Sequence, residues 1–317
     1  MIPVLASLPS PSQNVLEIGP LTIHFYGIMI AIGVVVAVLV AKRRYERFGG
    51  SGELLERVSI WTVIVGFLGA RLGYVITHTG DFIDRPWGTL FIWEGGLALY
   101  GGLAVGTLAA IVLLRRWKGD AFAFADAVAV GLPLAQAIGR WGNYFNQELF
   151  GTPTDAPWAV EIDPNIASAA GYPGYTTFHP TFLYESLWNV FLTVGIILWL
   201  ERRGKLAKGA SIALYLIVYG AGRFLMELMR TDTTFRLVGL SRNGWISAGA
   251  VLFGVGLFWW MQRRGEPRVL VGDPVFIAPG EATVAEPIGG DEPSGTGTED
   301  TSGLSFGDGM GGQPPTT

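Results

Sequence analysis

The densest group of polar side chains lies in one stretch, 139–151, which reads GRWGNYFNQELFG. It carries Arg140, Asn143, Asn146 and Glu148 within nine residues. Arg140 and Asn143 are three residues apart, so a helix would place them on one face. A guanidinium group is a planar donor suited to phosphate oxygens, and amide and carboxylate groups can orient hydroxyl groups. The alternative is a polar helix cap, but a cap does not require an arginine.

A second polar cluster, YGAGRFLMELMR, covers 219–230. Tyr219, Arg223, Glu227 and Arg230 form one stripe of a helix, so Glu227 is expected to bridge the two arginines. Two arginines around one carboxylate leave a net positive charge, which favours an anionic ligand. The alternative is an ion-pair network that serves only helix packing.

Three further groups are weaker candidates. Arg71 and His78 share a helix face, which is also typical of a side chain that reaches back to the membrane interface. His24 and Tyr26 lie in IHFYG, where aromatic residues of a membrane belt are equally expected. His179 opens the stretch HPTFLYE, which could also be a simple helix start.

The elements that carry these residues are predicted to be membrane-spanning helices. Half of the 317 residues are hydrophobic, only 15% are charged, and the mean hydropathy is +0.40. A soluble chain carries about 25% charged residues, and a membrane span needs roughly 20 mostly apolar residues. We predict an all-α, polytopic membrane protein with seven spans, at about 21–41, 58–77, 95–114, 121–141, 182–200, 210–229 and 244–261.

Arginines at membrane depth point to a site rather than to packing. Arg71, Arg140, Arg223 and Arg230 fall inside the predicted spans or at their ends. A charge in hydrocarbon costs at least about 2.5–3.5 kcal/mol. Together they predict a cationic pocket that opens to lipid and binds an anionic phospholipid headgroup.

The loops predict the orientation and the domains. If seven spans alternate, the loops on one side hold 15 Lys or Arg residues and those on the other hold 3. The excess marks the cytoplasmic side, which places the N-terminus outside and the C-terminus in the cytoplasm. We therefore expect an outer N-terminal lead at 1–20, a transmembrane domain at 21–267 with an outer loop at 142–181, and a disordered, acidic, Gly/Pro-rich cytoplasmic tail at 268–317.

Composition excludes several kinds of chemistry. The chain has no cysteine, so disulfides, thiolate metal sites and a cysteine nucleophile of its own are ruled out. Three histidines give little basis for a metal site, and we expect no cofactor. The charge pattern gives no support for a nucleic-acid partner.

The motifs resemble, in order, the blocks of the bacterial prolipoprotein diacylglyceryl transferase family. They are IHFYG, GARLGYV, WEGGL, GRWGNYFNQELFG, HPTFLYE and GRFLMELMR. The resemblance covers about 20–262. It implies transfer of the sn-1,2-diacylglyceryl group of phosphatidylglycerol to the lipobox cysteine of a preprolipoprotein, in the bacterial cell membrane, so that the thiol belongs to the substrate.

The resemblance also implies roles for individual residues. It points to Tyr26, Arg140, Asn143, Glu148, Gly151, Arg223 and Glu227. Arg140 and Arg223 are expected to bind the phosphate, with Glu227 and Arg230 holding Arg223. Asn143 and Asn146 are expected to orient the glycerol hydroxyls, and His24, Arg71 and Gly151 to complete the phosphatidylglycerol site.

One position departs from the family pattern. Many members have a histidine before the second diglycine, and here that residue is Tyr100. A cationic pocket lowers a thiol's pKa by itself, so a dedicated base is not required; His24, Tyr26, Tyr100 and Glu148 remain candidates. Two other functions also stay open: an anion transporter, although no internal repeat is present, and a non-catalytic lipid-binding scaffold.

Overall fold

The seven predicted spans are confirmed. A computed structural model describes residues 7–19, 21–91, 95–229, 236–268 and 270–271. Seven helices of these residues are long and apolar enough to cross a membrane. They are Phe25–Arg47 (α1), Gly52–Thr77 (α2), Leu99–Arg116 (α3), Ala121–Phe145 (α4), Thr181–Arg202, Ala210–Met229 (α8) and Arg242–Arg264 (α9).

The fifth span is not uniform. It consists of α6 (Thr181–Leu187), a π-helical segment (Trp188–Val194) and α7 (Gly195–Arg202). A further short helix, α5 (Pro164–Ala169), belongs to the loop between α4 and α6.

The helices pack as close pairs, α1 with α4, α2 with α3, and α8 with α9. Small residues allow this approach: a Cβ added at Gly131 would lie 2.6 Å from the Ala37 carbonyl oxygen, and one at Gly101 would lie 2.6 Å from that of Gly69. Such contacts drive helix association where lipid offers no hydrophobic advantage. Gly101 belongs to the glycine-rich stretch that begins the third span.

Three short hairpins lie at one end of the bundle, which we call the site end. They are β1 (Val15–Ile18) with β2 (Leu21–His24), β3 (Val160–Glu161) with β4 (Thr177–Phe178), and β5 (Arg236–Leu237) with β6 (Leu240–Ser241). Residues 21–24, predicted as the start of the first span, are therefore a strand, and the helix begins at Phe25.

The loop between α4 and α6 has a hydrophobic core of its own. Val160, Ile162, Ala167 and Phe178 are all at most 5% exposed. The N-terminal segment joins this core, because Leu8 pairs with Val160 and its amide donates to the Ala159 carbonyl oxygen at 2.7 Å. The N-terminal lead is thus part of the folded site end.

The opposite end of the bundle, which carries the loops at 48–51, 117–120 and 203–209, is closed by buried ion pairs. Arg44 donates to both carboxylate oxygens of Glu201, at 2.7 and 2.9 Å. Asp126 accepts from the amides of Gly209 and Ser211 at 2.7 and 2.9 Å. These contacts join α1, α4, α7 and α8.

The predicted tail boundary is set too early. Arg268 lies 2.7 Å from Asp126 and 2.8 Å from Glu201, and its side chain is only 9% exposed. The Val271 amide donates to the Arg47 carbonyl oxygen at 2.9 Å. The chain therefore contacts the bundle as far as 271, and the remainder of the predicted tail, 272–317, lies outside the described residues.

A truncation tests this boundary. A chain ending after Pro267 loses Arg268 and leaves Asp126 without its buried cation. Removing one partner of a buried pair costs about 3–5 kcal/mol, so thermal unfolding in detergent should shift to lower temperature. A chain ending after Val271 is the control and should unfold like the full chain. Equal melting of the two truncated chains would contradict the role of Arg268.

The orientation can be tested by cysteine labelling, because the chain has no cysteine. Ser168 and Lys205 are exposed and lie at opposite ends of the bundle. With the N-terminus outside, Ser168→Cys should react with an impermeant maleimide in intact cells, whereas Lys205→Cys should react only after permeabilisation. The reverse pattern would overturn the orientation.

Candidate active site

Arg140 and Arg223 converge on a carboxylate, Glu185. Arg140 Nη2 lies 2.6 Å from Glu185 Oε2, and Arg223 Nη1 lies 3.8 Å from Glu185 Oε1. The three residues come from α4, α8 and α6. The two arginine side chains are 18% and 14% exposed and that of Glu185 is 6% exposed. Both arginines therefore reach one place, with Glu185 between them.

Glu185 is a residue to which the sequence motifs assigned no role. The sequence does contain one signal, the position of Glu185 inside an apolar span, because an acidic side chain there needs a partner. Its partners, however, are 45 and 38 residues away in the sequence. Local spacing therefore could not find them.

A chain of polar side chains leads from Arg140 towards the exposed surface. Arg140 Nη1 donates to Asn143 Oδ1 at 3.4 Å, and Asn143 Nδ2 donates to Glu148 Oε1 at 2.7 Å. Asn146 Nδ2 is 3.5 Å from the same oxygen. Asn143 is buried and Glu148 is exposed. The predicted group of the first motif is thus continuous with the arginine pair.

The backbone folds Glu148 back over the end of α4. Gln147 has a φ of 49°, in the left-handed region, and the Glu148 amide donates to the Asn143 carbonyl oxygen at 3.0 Å. The Gln147 side chain holds this turn, since its Oε1 accepts from Ser10 Oγ at 3.1 Å and from the Asp163 amide at 2.7 Å. The N-terminal segment and the loop between α4 and α6 therefore set the position of Glu148.

Glu227 orients the second arginine. Arg223 Nη2 lies 2.9 Å from Glu227 Oε2, as the spacing of four residues predicts. Ser241 Oγ donates to Glu227 Oε1 at 2.6 Å and also caps α9 by accepting from the Gly244 amide at 3.0 Å. Arg230, the other predicted partner of Glu227, lies outside the described residues.

Glu185 adds a carboxylate to the predicted cationic site. Among the described residues, Arg140 and Arg223 are matched by Glu185 and Glu227. Each carboxylate binds some of the N–H groups of its arginine and fixes the orientation of the guanidinium group. An incoming anion therefore meets N–H donors of Arg140 and Arg223 whose direction is already fixed.

Three predicted residues shape the surroundings. A Cβ at Gly142 would come within 2.5 Å of the Tyr26 ring, so Tyr26 lies directly against α4 beside Asn143. The Gly151 amide donates to the His179 carbonyl oxygen at 3.0 Å, and a Cβ there would lie 2.9 Å from that of His179. His24 is exposed at the start of α1.

Arg71 and Tyr100 have other partners. Arg71 is 6% exposed and donates to the carbonyl oxygens of Gly88, Thr89, Gly95 and Gly96, so that it holds the connection between α2 and α3. Tyr100 donates from its hydroxyl to Asn243 Oδ1 at 2.9 Å, on α9. These hydrogen bonds to described residues give Arg71 a structural role that accounts for its burial.

The arrangement suits chemistry at a phosphate in lipid. Guanidinium groups with some N–H donors held by carboxylates still present others to phosphate oxygens. Donors fixed before the reaction stabilise charge that develops on a leaving group. The amides and Glu148 add partners for hydroxyl groups near the surface.

The chain is similar to known proteins over most of its length. The family model of prolipoprotein diacylglyceryl transferase matches residues 13–260. A phosphatidylglycerol–prolipoprotein diacylglyceryl transferase 1 of Streptomyces coelicolor is 43% identical over 285 residues, covering 89% of this chain and 80% of the relative. Enzymes named phosphatidylglycerol–prolipoprotein diacylglyceryl transferase from Paenarthrobacter aurescens and Cutibacterium acnes are 42% and 44% identical, over 82% and 81% of this chain and 85% and 88% of their own lengths.

The matched residues include six complete helical spans, nearly all of the seventh, and every described residue of the arginine and carboxylate cluster. The resemblance of the ordered motifs is thereby confirmed, and this chain belongs to the prolipoprotein diacylglyceryl transferase family.

Proposed function

We propose that this chain transfers the diacylglyceryl group of phosphatidylglycerol to the lipobox cysteine thiol of preprolipoproteins, the first step of lipoprotein lipidation. The observation that carries the proposal is the convergence of Arg140 and Arg223 on Glu185 at the site end of the spans. Relatives at 42–44% identity are named for this reaction.

The reaction exchanges one bond at the glyceryl carbon. The thiol loses its proton to a base of the site or to water, and the sulfur forms a C–S bond to that carbon. The C–O bond to phosphate breaks, and glycerol phosphate leaves with the bonding electron pair. The negative charge on the phosphate grows during this step, so oriented donors stabilise the transition state more than the ground state.

The site residues divide this work. Arg140 and Arg223 bind the phosphate, while Glu185 and Glu227 hold the two guanidinium groups. Asn143 and Asn146 orient the glycerol hydroxyls. His24, Arg71 and Gly151 complete the phosphatidylglycerol site, and Arg230 supports Glu227.

Activation of the thiol has two routes. The guanidinium groups favour the thiolate by themselves. Among the candidate bases His24, Tyr26, Tyr100 and Glu148, the last is supported by its connection through Asn143 to Arg140.

The topology completes the proposal. The helical bundle and its hairpins, within 15–271, form the catalytic domain in a bacterial cell membrane, with the site end outside, where a lipobox cysteine and the outer leaflet are both within reach. The residues after 271 are not required for the reaction.

One assay separates this function from its alternatives. The purified protein should transfer labelled diacylglycerol from phosphatidylglycerol to a lipobox peptide, with a thioether as product. A transporter would move an anion across vesicles without forming a thioether, and a lipid-binding scaffold would retain phosphatidylglycerol unchanged. Failure to form a thioether with a folded protein would reject the enzyme.

Substitution of the arginine pair tests the phosphate assignment. Arg140→Ala and Arg223→Ala each remove charge-assisted contacts worth about 1.5–3 kcal/mol, so turnover should fall at least about tenfold. Lysine should restore only part of it, because it lacks the planar fork. Arg115, exposed at the opposite end of the bundle, gives the control Arg115→Ala, which should retain full turnover. Near-native rates for both site variants would overturn the phosphate assignment.

Tyr100→His tests whether a base limits the rate. The imidazole would stand near Asn243, the present partner of Tyr100. We expect little gain in turnover at neutral pH, because the arginine pair already favours the thiolate. A large gain would show that thiol deprotonation limits the reaction and that the arginine pair alone does not supply the thiolate.

A further inference from the structure

A small cavity lies where the fifth span meets α8, next to the arginine pair. It offers about 10 Å³ to the centre of a water molecule and is lined by the polar side chains of Glu185, Asn189, Tyr219 and Arg223. By this measure one water needs about 10–15 Å³. The cavity is therefore close to the size of a single water and is too small for a phosphate group.

Two buried donors of residues that line the cavity have no hydrogen-bond partner among the described residues. They are Asn189 Nδ2 and Arg223 Nη1. Asn189 is 1% exposed. The 3.8 Å between Arg223 Nη1 and Glu185 Oε1 is too long for a direct hydrogen bond, and both atoms can reach one water in the cavity beside them.

We propose that this cavity holds one ordered water that joins Arg223 to Glu185, with Asn189 as the positioning residue. The water accepts from Arg223 Nη1 and Asn189 Nδ2 and donates to the Glu185 carboxylate and the Tyr219 hydroxyl. It thereby satisfies two donors at a depth where lipid offers them no partner. The inference rests on the proposed function, because the water fixes the guanidinium group that binds phosphate.

The local backbone builds this space. The π-helical segment begins at Trp188, whose Nε1 donates to the Val218 carbonyl oxygen on α8 at 2.9 Å. A Cβ at Gly222 would lie 2.2 Å from that nitrogen, so the indole fills the place of a side chain on α8. This contact sets the spacing of the two helices. Segments of π-helix are frequent at functional sites.

Two substitutions at one position separate a water site from ordinary packing. Asn189→Leu keeps the branched shape but brings apolar atoms to the cavity, so the water should be lost and kcat should fall at least about tenfold. Asn189→Ala leaves room for a second water in place of the amide, so kcat should fall less. Packing alone predicts the reverse order, because alanine leaves the larger void.

Thr193→Val is the matched control. Thr193 is 0% exposed, lies one turn further along the same span and does not line the cavity, so its variant should keep kcat. Thermal unfolding checks that each variant is folded. If Asn189→Leu retains as much turnover as Asn189→Ala, the positioning role is wrong.

A structure determined at a resolution that shows waters gives a test that needs no variant and no activity. The wild-type protein should have a density peak within hydrogen-bond distance of Arg223 Nη1 and Asn189 Nδ2. A direct hydrogen bond between Arg223 and Glu185, with no peak, would overturn the water site. Because this readout is independent of turnover, it still decides the question if the transferase assay fails.

Discussion

Two guanidinium groups at membrane depth repel each other and are costly to remove from water, and Glu185 lies between them. Its carboxylate is 2.6 Å from Arg140 and 3.8 Å from Arg223. Without it, the ends of α4 and α8 would carry two facing cations in a poorly hydrated place. The convergence of three spans at this point therefore depends on one acidic side chain of α6.

The rest of the bundle holds these three spans in register. At the opposite end, Arg44 and Arg268 bind Glu201 and Asp126, so α4 and the fifth span are fixed by buried ion pairs at both ends. Between the ends, small residues bring α4 against α1. Charged contacts thus set position along the helices, while close packing sets the distance between them. A site that must place two donors on one phosphate needs both constraints.

The sequence predicts what depends on local spacing or on the bilayer. Span lengths follow from hydrocarbon thickness, and the Arg140–Asn143 and Arg223–Glu227 contacts follow from helix geometry. It did not predict the pairing of Glu185, because the partners lie on other helices. Nor did it predict that Arg268 belongs to the bundle. Arg268 stands at the edge of an acidic, Gly/Pro-rich segment, and the composition of that segment is typical of a linker. The orientation and the roles of the site residues stay predictions.

Charge balance in the site bears on how it can favour a transition state. In the proposed mechanism Arg140 and Arg223 bind a phosphodiester while each is already paired with a carboxylate, Glu185 or Glu227. Binding of the phosphodiester depends on the guanidinium N–H groups that the carboxylates leave free and keep oriented. As the C–O bond breaks, the negative charge on the phosphate grows towards about two elementary charges. The same donors are already oriented and interact more strongly with this larger charge. A site with excess positive charge would bind the lipid tightly before and after reaction. In the proposed mechanism, paired and oriented donors instead add most of their stabilisation in the step in which charge develops, which is the condition for a higher turnover.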